Sequence, residues 1–122
     1  MAEDNDLNAE IVEVQLEECG MQVTRAADGE EVVNIFAKHP ADTFDIILMD
    51  IMMPNMNGYE AAKAIRSLKD RPDGGTIPII AMTANAFAED VQASLDAGMN
   101  GHLSKPIVMD EVVKTIARNL NR

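Results

Sequence analysis

Phe44-Asp45-Ile46-Ile47-Leu48-Met49-Asp50 is the stretch of sequence that decides the fold, because it is a short apolar run, interrupted once, that ends in Asp50. Such a run is typical of a strand that is buried on both faces of a parallel sheet. Ile77 to Met82 forms a second run of the same kind. Between the two runs, a loop through Asn57-Gly58 leads to a predicted helix from about Tyr59 to Leu68.

Strand and helix patterns alternate along the rest of the chain as well. The first predicted helix has Leu7, Ile11 and Val14 on one face, with Val12, Leu16 and Cys19 beside them, a cap at Asn5 or Asp6, and Gly20 after its end. The other predicted elements are a strand from Met21 to Ala26, a helix from Glu30 to Lys38, a helix marked by Phe87, Val91 and Leu95, a strand beginning at His102-Leu103, and a last helix capped by Asp110. This alternation predicts one α/β domain over residues 1–122, with a parallel sheet flanked by helices on both faces.

The composition limits the classes of function. The 122 residues are 47% hydrophobic, enough for a buried core, and carry a formal net charge of −11. Nucleic acid is densely negative and favours basic partners, so no nucleic acid partner is expected. Cys19 is the only cysteine, which suits a reducing compartment. The sequence has no apolar run that could cross a bilayer and no signal-peptide pattern, so we expect a cytoplasmic location and no membrane partner.

Acidic, hydroxyl and basic side chains lie where such a sheet is expected to carry its chemistry. Ligands of open parallel sheets bind at the carboxyl ends of the strands, which selects Glu3-Asp4, Asp50, Thr83 and Lys105. Three crowded carboxylates repel one another unless a cation lies between them, and ligands that are all oxygen favour Mg²⁺. Asp50 can act as a nucleophile that forms an aspartyl phosphate, while a cation and Lys105 neutralise the phosphoryl charge.

Each of these residues also has an ordinary structural interpretation. Asp4 can cap a helix, Thr83 can be a strand-end hydroxyl, and Lys105 can be a solvated loop lysine. Asp50 is harder to explain in this way, because placing a carboxylate at the end of a buried strand costs free energy unless the carboxylate is paired or hydrogen-bonded. The functional interpretation is favoured because all of these residues fall at carboxyl ends of strands in one sheet.

An ordered set of short motifs extends over nearly the whole chain. The set is Glu3-Asp4-Asn5, Leu48-Met49-Asp50-Ile51-Met52-Met53-Pro54, Asn57-Gly58, Ile79-Ile80-Ala81-Met82-Thr83-Ala84, Ala97-Gly98-Met99 and Lys105-Pro106. With these motifs the sequence strongly resembles the receiver domains of bacterial response regulators and hybrid histidine kinases. The resemblance implies a flavodoxin-like fold with the strand order 2-1-3-4-5 and a role in a two-component phosphorelay.

The resemblance also implies which residues accept the phosphoryl group and bind a metal ion. Asp50 would be the phosphoacceptor, and the donor would be the phosphohistidine of a histidine kinase or a phosphotransfer protein. The cofactor would be Mg²⁺ (or Mn²⁺). Its ligands would be Asp4, Asp50 and the Met52 carbonyl oxygen, with Glu3 acting through water.

The family pattern further assigns the residues that hold the phosphoryl group and transmit the signal. Thr83, the Ala84 N–H and Lys105 would bind the phosphoryl group. Thr83 and the side chain at position 102 would then move inward, which reshapes the face of the last two helices and the strand between them for a downstream protein partner. The family usually has Tyr or Phe where this chain has His102, so the coupling can depend on pH. The alternative is that His102 is a passive residue at the sheet edge.

A second departure from the family lies at the start of the chain. Family members begin with an apolar strand that runs into the acid pair, whereas only Met1-Ala2 precede Glu3 here. The usual first, central strand is therefore expected to be missing or truncated, and the acid pair to lose its anchor. Segment exchange in a homo-oligomer is the favoured compensation; the others are a sheet that re-pairs its strands and a marginally stable shortened chain.

Three functions stay open at this point. The first is a phosphoacceptor signalling module, and the second is a receiver-like protein-interaction module that is no longer phosphorylated because its first strand is missing. The third is a phosphohydrolase with an aspartate nucleophile. That enzyme class has a second acid two residues after the nucleophile, where this chain has Met52. We therefore expect a signalling module and not an enzyme.

Overall fold

The described residues form α-helices and β-strands that alternate along the chain. The computed structural model describes residues 1–40, 43–53, 55–68, 72–83, 88–104 and 108–120. The elements are α1 (Asp6–Glu18), α2 (Gly29–Lys38), β1 (Ile47–Asp50), α3 (Gly58–Arg66), a 3-10 helix (Pro72–Gly75), β2 (Ile79–Thr83), α4 (Ala88–Asp96), β3 (Gly101–Ser104) and α5 (Met109–Leu120). The two apolar runs of the sequence therefore form β1 and β2, as predicted. Within the described part of the chain, no helix has the length and apolar character needed to span a membrane.

The strands β1, β2 and β3 form a parallel sheet in that order, and the start of the chain extends this sheet. The register places Asp50 of β1 beside Met82 of β2. On the other side of β1, Ala2 makes parallel bridges to Met49 and to Ala26. The order across the sheet is thus Ala26, Ala2, β1, β2 and β3. This is the order expected of a flavodoxin-like fold, with the bridged residue Ala2 in the position of the first, central strand.

Helices cover both faces of the sheet, and each face has its own apolar core. One core includes Val32, Phe36, Ile47, Met49, Ala61, Ala62, Ile65, Ile79 and Ala81, so it lies beneath α2 and α3. The other consists of Val12, Leu16, Leu48, Ile80, Met82, Leu103, Val112 and Ile116, so it lies beneath α1 and α5. Successive residues of β1 and β2 enter opposite cores, which explains why these strands are apolar at nearly every position.

The helix α1 begins where the sequence predicts but buries a different face. The Asn5 side chain accepts a hydrogen bond of 3.0 Å from the Asn8 N–H and caps the helix. Its buried residues are Ala9, Val12 and Leu16. Leu7, Ile11 and Val14, which form the predicted apolar face, are 66%, 49% and 49% exposed. The prediction was wrong because the apolar pattern gives little weight to a small residue such as Ala9. The exposed residues Leu7, Ile11 and Val14 are called the α1 stripe below.

Two other elements differ from the sequence prediction. The segment Met21 to Ala26 is not a regular strand, since only Ala26 forms a bridge. A strand needs a partner backbone along its length, and here Ala2 offers one only at the end of the segment. The helix α5 begins at Met109, so Asp110 lies in its first turn and is not the cap. At that position the Asp110 carboxylate still interacts favourably with the helix dipole.

Candidate functional site

Three carboxylates come together at the carboxyl edge of the sheet. One carboxylate oxygen from each of Glu3, Asp4 and Asp50 lies within 4.8 Å of those of the other two. Glu3 and Asp50 are 4% and 3% exposed, whereas Asp4 is exposed. The acid cluster, which these three residues define, is therefore enclosed by protein on one side and reaches solvent at Asp4.

Ala2 anchors the two acids that follow it. Its N–H donates to the Leu48 carbonyl oxygen at 2.8 Å, and its own carbonyl oxygen accepts from the Asp50 N–H at 2.9 Å. On the other side, the Glu3 N–H donates to the Ala26 carbonyl oxygen at 3.0 Å. The expectation that a truncated first strand leaves the acid pair without an anchor was therefore wrong. Ala2 is the residue directly before the acids, so pairing at this one position is enough to hold them beside Asp50.

Arg25 supports the acid pair from the neighbouring segment. Its Nε and Nη2 atoms both donate to the Glu3 carbonyl oxygen, at 3.2 and 2.9 Å. Its Nη1 atom forms an ion pair of 2.8 Å with Asp6 in the first turn of α1. The guanidinium group thus holds the Glu3 backbone on one side of Asp4 and the Asp6 carboxylate on the other. Sequence reasoning missed Arg25, because nothing in the pattern relates a residue of the second segment to the backbone of the first.

The loop after β1 orients the Asp50 carboxylate. The Met52 N–H donates to Asp50 Oδ1 at 3.3 Å. The Gly58 N–H donates to the Ile51 carbonyl oxygen at 2.9 Å, so α3 begins directly against the end of β1. A Cβ atom at Gly58 would lie 2.5 Å from the Asp50 carbonyl oxygen and 2.9 Å from the Ile51 Cα atom. Glycine is therefore needed at this position for close packing.

The helix α2 holds the other side of the same loop. Asp28 caps α2 by accepting from the Glu31 N–H at 2.8 Å, and its second carboxylate oxygen accepts from Asn55 Nδ2 at 2.8 Å. The Glu31 N–H, followed by the Asn55 side chain, holds the pKa of Asp28 below its ordinary value. Asn55 has a φ of 66°, a left-handed conformation that Asn tolerates better than most residues. The loop after β1 is therefore hydrogen-bonded to Asp50 through Met52 and to Asp28, the cap of α2, through Asn55.

Thr83 lies at the same edge of the sheet as the acid cluster. It ends β2 one position after Met82, the register partner of Asp50, and it is half-buried. Its hydroxyl therefore belongs to the strand next to the phosphoacceptor candidate. The other two predicted phosphoryl-binding residues, Ala84 and Lys105, lie outside the described residues, so their roles stay sequence predictions.

His102 lies on β3, beside Ala81 of β2 in the register of the sheet. It is exposed, and it lines a cavity of about 360 Å³ together with Lys114 and Arg118 of α5. The predicted switch position is thus at the surface between the last strand and the last helix. In this conformation His102 is exposed and is not enclosed in the apolar core.

The acid cluster has the chemistry of a site for a hard divalent cation. All of its donors are carboxylate oxygens, which are the ligands that Mg²⁺ and Mn²⁺ prefer. Glu3 and Asp50 are buried, and a cation would offset both the mutual repulsion of the carboxylates and their loss of water. The exposed side at Asp4 leaves room for the waters and substrate oxygens that complete a magnesium shell. The cluster could therefore hold a metal ion of this class.

Comparisons with known proteins identify the family. The family model described as the response regulator receiver domain matches residues 1–117. The sensor histidine kinase RcsC of Salmonella typhi is 38% identical over 117 residues, which are 96% of this chain but only 12% of that protein. The receiver domain of the histidine kinase PA1611 from Pseudomonas aeruginosa, solved with a magnesium ion in its active site cleft, is 36% identical with a TM-score of 0.87, over 99% of this chain and 94% of that one. The receiver domain of Ssk1 from Saccharomyces cerevisiae, solved with the histidine phosphotransfer protein Ypd1, is 29% identical with a TM-score of 0.82, over 95% of this chain and 83% of that one. Because the family model covers almost its whole length, this chain belongs to the response regulator receiver domain family.

Proposed function

We propose that this domain accepts a phosphoryl group on Asp50 from a phosphohistidine donor in the cytoplasm and passes the signal to a downstream protein. The observation that carries the proposal is the acid cluster, in which the carboxylate that ends β1 lies beside two further carboxylates at the edge of a receiver-type sheet. A receiver of the same fold has been crystallised with a histidine phosphotransfer protein, which supports a donor of this kind.

The covalent step forms one bond and breaks one. A carboxylate oxygen of Asp50 attacks the phosphorus atom, the phosphorus–nitrogen bond of the donor histidine breaks, and its electron pair stays on the imidazole. Such a transfer depends mainly on positioning and on neutralisation of charge, since the protein does little covalent chemistry. The hydrogen bond from the Met52 N–H to Asp50 Oδ1 contributes to positioning because it restricts rotation of the attacking carboxylate.

Neutralisation of charge is the task of the residues around Asp50. Glu3, Asp4, Asp50 and the Met52 carbonyl oxygen would hold Mg²⁺ or Mn²⁺, which neutralises the phosphoryl oxygens when bound. The relative from Pseudomonas aeruginosa that carries a magnesium ion in its cleft supports this assignment. Thr83 would donate its hydroxyl to a phosphoryl oxygen. Ala84 and Lys105 complete the proposed set of phosphoryl-binding residues on the strength of the sequence pattern.

The donor would dock on the α1 stripe. Leu7 lies in the first turn of α1, directly after the acid cluster, and Ile11 and Val14 extend the same exposed face along the helix. A rise of about 1.5 Å per residue places Val14 roughly 10 Å further along the axis than Leu7. An apolar surface beside the phosphoacceptor suits a protein that must bind closely before it transfers its phosphoryl group.

The signal would leave through the face of α4, β3 and α5. Thr83 ends β2, the strand beside β3. Movement of Thr83 toward a phosphoryl group would therefore change the contacts around His102 on β3. His102 is exposed in this conformation, so its side chain would have to move from the surface toward Thr83 in the second arrangement. The acquired negative charge thus favours a second arrangement of this face, and a downstream partner that binds this arrangement would stabilise it.

The test is the intact mass of the domain after incubation with acetyl phosphate and Mg²⁺. We expect one phosphoryl adduct in the native chain and none in Asp50→Asn or without the metal ion. Asp4→Asn keeps the side-chain volume and should form the adduct much more slowly. No adduct on a chain that is folded by circular dichroism would contradict the proposal and favour a receiver-like interaction module that is no longer phosphorylated.

A further inference from the structure

The loop between β1 and α3 contains Met52, whose carbonyl oxygen is a predicted metal ligand. The Met52 side chain is 78% exposed, so its packing cannot hold the residue in place. The Met52 N–H donates to Asp50 Oδ1 over 3.3 Å, which is slightly long for a hydrogen bond of this type. Mg²⁺ requires near-ideal octahedral geometry, with its ligands at about 2.0–2.1 Å. A Met52 carbonyl oxygen that binds Mg²⁺ must therefore be held in place by other parts of the loop as well.

The start of α2 contacts the outer part of this loop at two successive residues. Asp28 Oδ2 accepts from Asn55 Nδ2 at 2.8 Å, and the Gly29 N–H donates to the Met56 carbonyl oxygen at 3.1 Å. A Cβ atom at Gly29 would overlap that carbonyl oxygen, so the two backbone segments approach each other as only glycine allows. These four residues define the α2–loop contact.

The Asp28 carboxylate is held firmly within the α2–loop contact. Its Oδ1 atom caps α2 by accepting from the Glu31 N–H at 2.8 Å, so the carboxylate cannot rotate without loss of the cap. The Glu31 N–H and the Asn55 side chain hold the pKa of Asp28 below its ordinary value, so the group is charged at neutral pH. A hydrogen bond to a charged acceptor is stronger than one between neutral groups. The bond from Asn55 is therefore the stronger of the two connections to α2.

The other end of the loop is held directly against β1. The Gly58 N–H donates to the Ile51 carbonyl oxygen at 2.9 Å. Met52 follows Ile51, and Asn55 follows Met52 by three residues. Asn55 has a φ of 66°, a left-handed conformation that Asn, Asp and Gly adopt most readily. The Met52 peptide group thus lies between one connection to β1 and one connection to α2, and a shift of Asn55 would be passed along a short stretch of chain to Met52.

From these contacts we infer that Asp28 and Asn55 are positioning residues for the metal site. Their hydrogen bond holds the loop in the arrangement that places the Met52 peptide group beside Asp50. Both residues act through the loop and not by contact with the ion. The inference rests on the proposed function, because it assigns them a role in the binding of Mg²⁺ at the acid cluster.

Exchange of the two side chains tests this hydrogen bond. In Asn55→Asp, two carboxylates would face each other where the bond now lies, and repulsion would replace it. In the double variant Asp28→Asn and Asn55→Asp, the amide at position 28 can still cap α2 through its oxygen atom. Its N–H group can then donate to the carboxylate at position 55, which restores the bond with the roles reversed. The double variant has the net charge of the native chain.

The measurement is the affinity for Mg²⁺ by calorimetry at about 0.15 M salt. We expect Asn55→Asp to lower this affinity by about fivefold or more, and the double variant to return it to within about twofold of the native value. The direction of the change is informative, because an added carboxylate that acts only through its charge would raise the affinity for a cation. Ala37→Gly is the matched control. It weakens α2 at an exposed position near the end away from the loop and should leave the affinity unchanged.

A second variant and a second measurement separate this inference from the proposed function. Asn55→Gly keeps the left-handed conformation accessible but removes the hydrogen bond. It should lower the affinity for Mg²⁺, and it should speed amide hydrogen exchange at Met52 in the metal-free chain by about threefold or more. A native chain that binds no Mg²⁺ would contradict the proposed function. Exchange at Met52, which needs no metal ion, would then still decide whether Asn55 positions the loop.

Three results would overturn the inference alone, in a native chain that binds Mg²⁺. The first is an affinity that rises or stays unchanged in Asn55→Asp. The second is a double variant that binds Mg²⁺ no better than Asn55→Asp, and the third is an equal loss of affinity in Ala37→Gly. If Asn55→Asp fails to fold, Asn55→Gly decides, and native affinity with native exchange at Met52 would contradict a positioning role.

Discussion

Substitution of Gly58 by alanine tests whether close packing of α3 against β1 positions the phosphoacceptor. The Gly58→Ala Cβ atom would lie 2.5 Å from the Asp50 carbonyl oxygen, about 0.9 Å short of the 3.4 Å at which ordinary contact begins. The obstructing atoms belong to the backbone, so no side chain can rotate away. Either the start of α3 or the end of β1 must therefore move by most of an ångström, and the end of β1 carries Asp50.

The expected loss of stability can be bounded. Overpacking of a well-packed region costs about 1–3 kcal/mol. Alanine is better than glycine in a helix by up to about 1 kcal/mol, which offsets part of that cost. With the full offset, a net loss of up to about 2 kcal/mol remains, and each kcal/mol lowers the unfolding midpoint of a domain of this size by about 3–6 °C. Phosphorylation should suffer more, since a misplacement of about 1 Å can reduce a rate about 100-fold.

The assay combines thermal unfolding with the rate of phosphorylation by acetyl phosphate, at a temperature where every variant is folded. Gly75→Ala is the matched control, because no atom lies within 4 Å of the position of its Cβ and its φ is not positive. That variant should be as stable as the native chain or slightly more stable, with an unchanged rate. Native stability and a native rate in Gly58→Ala would refute the reasoning, and so would equal effects of the two variants.

Three further predictions address the groups around the acid cluster. Arg25→Lys keeps the positive charge but loses the double hydrogen bond to the Glu3 carbonyl oxygen. The affinity for Mg²⁺, measured by calorimetry, should therefore fall by about threefold or more. An unchanged affinity would exclude a positioning role for Arg25. The stabilisation from Asp28, whose folded pKa lies below the ordinary 3.8, is present above that pH and is lost as the pH falls through the folded value. The difference in unfolding midpoint between the native chain and Asp28→Asn should therefore shrink below pH 3.8, and a difference that is constant with pH would contradict this. The double variant Leu7→Ser and Ile11→Ser should slow phosphoryl transfer from a phosphohistidine protein about tenfold or more, but should not slow transfer from acetyl phosphate. Its free energy of unfolding should change by less than about 0.5 kcal/mol, because both side chains are exposed. Equal slowing with both donors would argue against docking on the α1 stripe.

The central part of the fold could be predicted because local rules and global packing agree there. Residues 46–49 are apolar at successive positions, and the structure places them between two cores, as the pattern requires. Asn5 is a good cap in sequence and in structure, since its side chain reaches the Asn8 N–H without tertiary help. The gathering of Glu3, Asp4 and Asp50 also follows from the sequence, because the carboxyl ends of parallel strands share one edge.

The features that could not be predicted depend on contacts between distant segments. The buried face of α1 is decided by how closely Ala9 approaches the sheet, which periodicity does not express. Arg66 donates to the Gly98 and Gly74 carbonyl oxygens and so ties the end of α3 to two connections of the chain. A single arginine on a helix has no sequence signal for such partners. The anchor of Glu3 and Asp4 depends in the same way on distant contacts, namely the backbone hydrogen bonds of Ala2 across the sheet. The sequence does not reveal these bonds, so the expectation that the acid pair loses its anchor was wrong.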